Sequence, residues 1–237
     1  MSFLDSGEGA GDARARTRIK FCGMTRIEDV RLACALGVDA IGVVFVPRSA
    51  RCIDLDRARA LHDVIDGRAR VVALVMDAPA DAVAAIVDRL RPDFLQFHGN
   101  EDDAFCAAFG CPFIKAIGLR GIGVDDVPVQ LARYPSATGF VLDGHAQGAL
   151  GGSGERGDWH ALGTAQMHRP WLLAGGLDAG NVATAIALTR PQGVDVASGI
   201  ERAPGIKNAD KMRAFVEAVR AADSSLSSSL LPQGESG

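Results

Sequence analysis

Short apolar runs alternate with amphipathic runs along most of the chain. Ile19–Cys22 predicts a strand, and the spacing over Ile27–Leu36 predicts a helix stopped at Gly37, a residue suited to a left-handed helix end. Ala40–Val46, rich in β-branched residues, predicts the next strand, and Leu55–Ile65 a helix ending near Gly67. The same reading gives strands at Val71–Met76, Phe94–Phe97, Pro112–Ile117, Phe140–Leu142, Trp171–Ala174 and Val194–Ala197. Helices fall between them at Ala80–Leu90, Asp102–Phe109, Val124–Arg133, Trp159–Gln166, Ala179–Leu188 and Ala209–Ala222. The Val124–Arg133 pattern is weaker because it contains Pro128.

About eight strand–helix units are the mark of an α/β chain closed as a (β/α)8 TIM barrel in a single domain. Strands buried on both faces read as continuous apolar runs, as Ile41–Val46 and Val71–Met76 do. An open, doubly wound sheet is the alternative. It fits less well, because the first turn, Cys22-Gly23-Met24-Thr25, is not a Gly-x-Gly-x-x-Gly phosphate loop.

In a barrel, chemistry gathers where strands end and loops begin. Cys22 ends the first strand and Asp143 the sixth. We read them as general base and general acid facing each other across a small sugar phosphate. Side chains two apart share a face, so Lys20 points inward below Cys22, Val141 below Asp143, and Gln96 with His98 on the fourth strand. Asp195, between Val194 and Val196, also points inward. Each residue has a plainer reading. Cysteine is often a buried small hydrophobe, Asp143-Gly144 suits a turn, and Asp195 suits a structural ion pair with Lys20 or Lys115. His98 before Gly99 divides between lining and chemistry. Glycines supply the third signal: Gly151-Gly152-Ser153-Gly154 after the sixth strand, Gly175-Gly176 after the seventh, and Ser198-Gly199 after the eighth. Exposed amides in the last two places form the usual phosphate site of a barrel.

Composition narrows the partners. The 237 residues are 48% hydrophobic and 23% charged, as in a globular protein with a sizeable core. A net charge of −4 argues against nucleic acid, and no apolar run is long enough for a membrane span. Five cysteines at irregular spacing fit reduced thiols in a cytoplasmic protein and form no zinc pattern. Residues 1–17 look like a disordered leader, and 223–237, rich in serine, like a disordered tail. Oligomeric state stays open between monomer and homodimer.

From Arg18 to Ala222 the chain resembles phosphoribosylanthranilate isomerase of tryptophan biosynthesis. The carrying segments are Lys20-Phe21-Cys22-Gly23-Met24-Thr25, Pro47-Arg48-Ser49-Ala50-Arg51, Gln96-Phe97-His98-Gly99, Val141-Leu142-Asp143, Leu173-Ala174-Gly175-Gly176-Leu177 and Gly193-Val194-Asp195-Val196-Ala197-Ser198-Gly199-Ile200-Glu201. The resemblance implies an Amadori rearrangement of an anthranilate aminoaldose phosphate to the aminoketose. It implies that Asp143 protonates the ring oxygen and Cys22 removes the C2 proton. It further implies that Arg51 pairs with the anthranilate carboxylate, that Asp195 assists near the amine, and that amides around Gly175, Gly176, Ser198 and Gly199 hold the phosphate. No metal or organic cofactor is implied, because the imine is itself the electron sink. For such roles Cys22 should be made more acidic by a cation such as Lys20 or the protonated imine itself, and Asp143 less acidic by burial or a neighbouring anion such as Asp195. The rivals are a related barrel isomerase of histidine biosynthesis, a dual-substrate variant, and a non-catalytic barrel that binds a phosphorylated ligand.

Overall fold

The computed structural model describes residues 16–144, 159–164 and 167–228. Eight parallel strands close into a barrel in sequence order: β1 (Arg18–Phe21), β2 (Ala40–Val44), β3 (Arg70–Val75), β4 (Phe94–Phe97), β5 (Phe113–Gly118), β6 (Gly139–Asp143), β7 (Trp171–Ala174) and β8 (Gly193–Val196). Helices alternate with them: α1 (Ile27–Ala35), α2 (Leu55–Ile65), α3 (Ala80–Leu90), α4 (Asp103–Ala107), α5 (Val127–Ala132), α6 (Trp159–Thr164), α7 (Val182–Thr189) and α8 (Ala209–Ser228). After β8 come a 3-10 turn, Ser198–Ile200, and a small antiparallel hairpin, β9 (Glu201–Ala203) and β10 (Ile206–Lys207).

Alternation of side chains across the sheet separates two apolar layers. Outward residues such as Ile19, Phe21, Ile41, Leu95 and Leu173 pack in the large cluster shared with the helices. Inward residues, among them Ala40, Val72, Phe94, Ile114, Val141 and Leu172, fill the barrel. Above them Cys22, Val44, Val46, Leu74 and Met76 form a third cluster at the mouth, where the C-terminal strand ends lie.

The pattern placed most elements closely, and the differences have local causes. β2 stops at Val44 rather than Val46, three residues before Pro47, which has no N–H for a ladder. α7 begins at Val182 rather than Ala179, because Asp178 to Asn181 form a tight turn: Asp178 N donates to Asn181 Oδ1 at 2.9 Å and Gly180 N to Asp178 Oδ1 at 2.8 Å. The Val124–Arg133 segment splits into a 3-10 turn and α5, with Pro128 in the first turn of α5. The hairpin β9–β10 was not anticipated. The expected ends of the domain also move. α8 runs through Ser228, so the described part of the tail is helix; Ser224, Ser225 and Ser227 donate to the carbonyls of Arg220, Ala221 and Asp223. At the other end Thr17, expected in a loose leader, is buried and donates through N and Oγ1 to Asp223. Arg16 beside it donates through Nη1 and Nη2 to Asp39, and residues 1–15 and 229–237 of the expected disordered segments lie outside the described residues.

Candidate active site

The end of β1 carries the thiol. Cys22 follows the last strand residue but keeps the ladder, its N donating to Val196 O at 2.9 Å. Its side chain is 7% exposed, at the floor of the mouth. Lys20, one pleat below, is fully buried and donates to Asp195 Oδ2 at 2.8 Å. The neighbouring strand makes room for both: a Cβ on Gly42 would stand 2.9 Å from Cys22 Sγ and 3.3 Å from Lys20 Nζ.

The electrostatics differ from the expectation for a cation-activated thiol. Burial pushes Cys22 up, and although Lys20 pulls it down, Asp195 pushes it up again; the net direction is upward. Burial likewise pushes Lys20 down, but Asp195 and then Cys22 outweigh it, and Lys20 is raised and charged. Lys20 therefore serves Asp195 first. The pair neutralises itself and leaves desolvation to decide the thiol.

Asp143 closes β6, 6% exposed. His98 Nε2 lies 3.8 Å from its Oδ2, too far for a hydrogen bond. Burial pushes His98 below its ordinary value despite the raising effect of Asp143 and Asp195, so the ring is neutral near pH 7. Gly175 stands against Asp143 from β7 in a left-handed conformation, φ +91°, and a Cβ there would approach Asp143 Oδ1 to 2.9 Å. Gly176 and Ser198 continue this wall. Gly199 sits behind it, backed onto the Leu177 carbonyl so closely that no side chain fits.

Arg51 reaches the mouth from the segment after β2. It was expected to offer its fork to a ligand carboxylate. Its Nε and Nη2 instead donate to Glu201 Oε1 and Oε2 at 2.9 and 2.7 Å. Glu201 is buried, and its Oε1 also accepts from Lys207 Nζ at 2.9 Å. Lys207 in turn donates to Cys22 O at 2.6 Å and Ala197 O at 3.0 Å. Burial alone would raise Glu201, but Arg51 and Lys207 outweigh it and hold the carboxyl below its ordinary range. Glu201 and Lys207 were missed as site residues. The readable signal was Pro204-Gly205 between two short runs, a turn that brings one strand back beside the other.

One cavity collects these groups. Cys22, Arg51, Asp143, Asp195, Gly175, Gly176 and Ser198 all line it, as do Gln96 and His98. Of the expected site residues only Gly199 is not on its wall. The Gly151–Gly154 loop lies outside the described residues. A thiol and a carboxyl on different walls of one small, mainly apolar cavity can exchange protons with opposite sides of a bound molecule, and Gly175 and Gly176 after β7 offer an anion close backbone approach.

Comparison with known proteins agrees with this architecture. The family model for N-(5'phosphoribosyl)anthranilate (PRA) isomerase matches residues 19–218. A relative from Xanthomonas oryzae pv. oryzae, named N-(5'-phosphoribosyl)anthranilate isomerase, is 50% identical over 212 residues, covering 88% of this chain and 95% of its own. The crystal structure of phosphoribosyl anthranilate isomerase from Thermus thermophilus superposes with a TM-score of 0.75 at 36% identity, covering 86% of this chain and 99% of that one. A further phosphoribosyl anthranilate isomerase, solved in complex with reduced 1-(o-carboxyphenylamino)-1-deoxyribulose 5-phosphate, has a TM-score of 0.72 at 27% identity over 86% of this chain and 99% of its own.

Proposed function

The chain belongs to the N-(5'-phosphoribosyl)anthranilate isomerase family, and from that premise we infer that it converts N-(5-phosphoribosyl)anthranilate, an aminoaldose, to 1-(2-carboxyphenylamino)-1-deoxyribulose 5-phosphate, an aminoketose. The observation that carries the reading to individual residues is that Cys22 and Asp143 line one cavity from β1 and β6.

Asp143 gives a proton to the ring oxygen, and the furanose opens to a protonated imine. That cation favours charging the neighbouring thiol, which burial otherwise keeps protonated. Cys22 as thiolate takes the C2 proton, and the electron pair moves into the imine to give an enolamine. The proton that the thiol sheds on charging passes to solvent and a solvent proton recharges Asp143, while tautomerisation places a proton on C1 and releases the enol proton. Product and substrate therefore have the same atoms, and acid and base return to their starting states.

Around this pair, Arg51 meets the anthranilate carboxylate. Glu201 takes its Nε/Nη2 fork, so the carboxylate is not met by that fork. Asp195 stands near the amine, and the amides of Gly175, Gly176, Ser198 and Gly199 hold the phosphate. The ligand of the solved relative, a phosphorylated sugar joined to an anthranilate ring, supports a small phosphorylated ligand for this cavity. Free thiols at all five cysteines suit the reducing cytoplasm.

Following the loss of anthranilate-adduct fluorescence with the full chain tests the activity. Turnover of N-(5-phosphoribosyl)anthranilate is expected. Turnover only of a phosphoribosyl aminoimidazole substrate would favour the histidine-pathway rival, and turnover of neither would favour a ligand-binding barrel.

A further inference from the structure

Among the described residues four buried side-chain polar atoms meet no hydrogen-bonding partner: Gln96 Oε1, His98 Nδ1, Trp159 Nε1 and Asp195 Oδ1. The Gln96, His98 and Asp195 side chains all line the cavity that holds Cys22 and Asp143. Among the described residues elsewhere, Trp159 Nε1 is the one such atom, and buried lysines are well satisfied. Lys115 Nζ reaches Phe97 O, Gly99 O and Glu101 Oε2, and Lys207 Nζ reaches three acceptors of its own. Unpaired buried polar atoms are costly, so three of them on one cavity point to polar groups of a ligand.

The chemistry of these atoms defines what they would take. Asp195, on the cavity lining, spends Oδ2 on Lys20 and leaves Oδ1 without a partner, and a carboxylate can only accept. Gln96 and His98 share the inward face of the β4 line, two residues apart and across the barrel from β8. A glutamine carbonyl accepts, and a neutral imidazole accepts through one nitrogen. Such a surface selects a molecule that brings hydroxyl or N–H donors to the barrel floor.

Resting on the isomerase reading above, we propose that Gln96 and His98, with Asp195 Oδ1 facing them, form a floor that recognises the secondary hydroxyls of the substrate's pentose. The C2 hydroxyl belongs to the reacting carbon and becomes the ketone. The C3 hydroxyl is the group left for recognition alone, and it selects ribosyl over deoxyribosyl substrates.

The test compares kcat/KM for N-(5-phosphoribosyl)anthranilate and its 3-deoxyribosyl counterpart, using the full chain unaltered and as Gln96→Met and His98→Phe, with circular dichroism reporting the fold. The unaltered protein should prefer the ribosyl compound by about a hundredfold or more, because a site built around a substrate hydroxyl rejects the analogue lacking it. Each folded variant should lose activity on the ribosyl compound and keep a preference of less than about tenfold, since the hydroxyl then has fewer partners to lose. If the unaltered protein treats the two compounds alike, or both folded variants keep the full preference, the proposal is overturned while the isomerase reading stands. If one variant does not fold, the other is read alone; if neither folds, the unaltered protein's preference decides. Turnover of neither compound by the unaltered protein would reject the isomerase reading itself.

Discussion

Cys22 does not sit in the environment usually expected of a catalytic thiol. Lys20 is bound to Asp195 at 2.8 Å, and burial sets the direction of the thiol's shift, upward from 9.0. Its reactivity toward an outside reagent should therefore be low. In iodoacetamide labelling near pH 7.5, read by peptide mass spectrometry, exposed Cys52 should react well before Cys22, and Cys22 labelling should rise only above pH 9.0. Faster labelling of Cys22 would mean that Lys20 wins over burial. Arg51 carries a different prediction. Arg51→Ala should raise KM for the anthranilate substrate more than it lowers kcat, and Arg51→Lys should not restore KM, because an ammonium cannot span both Glu201 oxygens. A large loss of kcat at unchanged KM would contradict carboxylate binding. Cys22 and Asp143 were legible in the sequence because each sits at the end of an apolar run. Glu201 was not, because its partner Arg51 is 150 positions away and neither residue departs from an ordinary surface charge when read alone.

Strands and helices were legible for the same reason the barrel is stable: parallel strands buried on both faces must be apolar throughout, and glycine, proline and aspartate mark their ends. The hairpin β9–β10 is too short to leave a periodic trace, yet it carries the clamp on the site. Lys207 on β10 ties together Cys22 O beyond β1, Ala197 O beyond β8 and Glu201 on β9. Lys207→Met removes all three bonds and leaves Glu201 with one cation fewer. Urea unfolding should report a loss of about 3–5 kcal/mol, the usual cost of breaking a buried charge network; a loss below about 1 kcal/mol would make the clamp ornamental. The β1–β2 pair makes a separate prediction. Gly42→Ala places a methyl 2.9 Å from Cys22 Sγ, so the barrel should still form while kcat/KM falls on the order of tenfold or more through displacement of the thiol. Unchanged kinetics would show that Cys22 has slack.

Closure of the barrel brings β1 beside β8 and sets residues from both ends of the sequence around one mouth. The outer ends are tied as well, since Thr17 O accepts from Arg220 while Thr17 N and Oγ1 donate to Asp223. The buried charges of the mouth make global stability depend on pH in a defined sense. Glu201 is held below its ordinary 4.5, so the stability it contributes is fully present above that value and is lost as pH falls through its folded value. Between about pH 5 and about pH 3 the melting temperature of Glu201→Gln should fall less steeply than that of the parent; an equal slope would show that Glu201 does not carry this acid sensitivity. The claim on which these expectations converge is that Cys22 and Asp143 hand protons to opposite sides of one sugar. Turnover of N-(5-phosphoribosyl)anthranilate by folded Cys22→Ser and Asp143→Asn tests it most directly. Each should lose on the order of a hundredfold or more in kcat relative to the unaltered chain, as removal of a general acid or base does. Near-parental turnover in either variant would contradict the assignment of that residue.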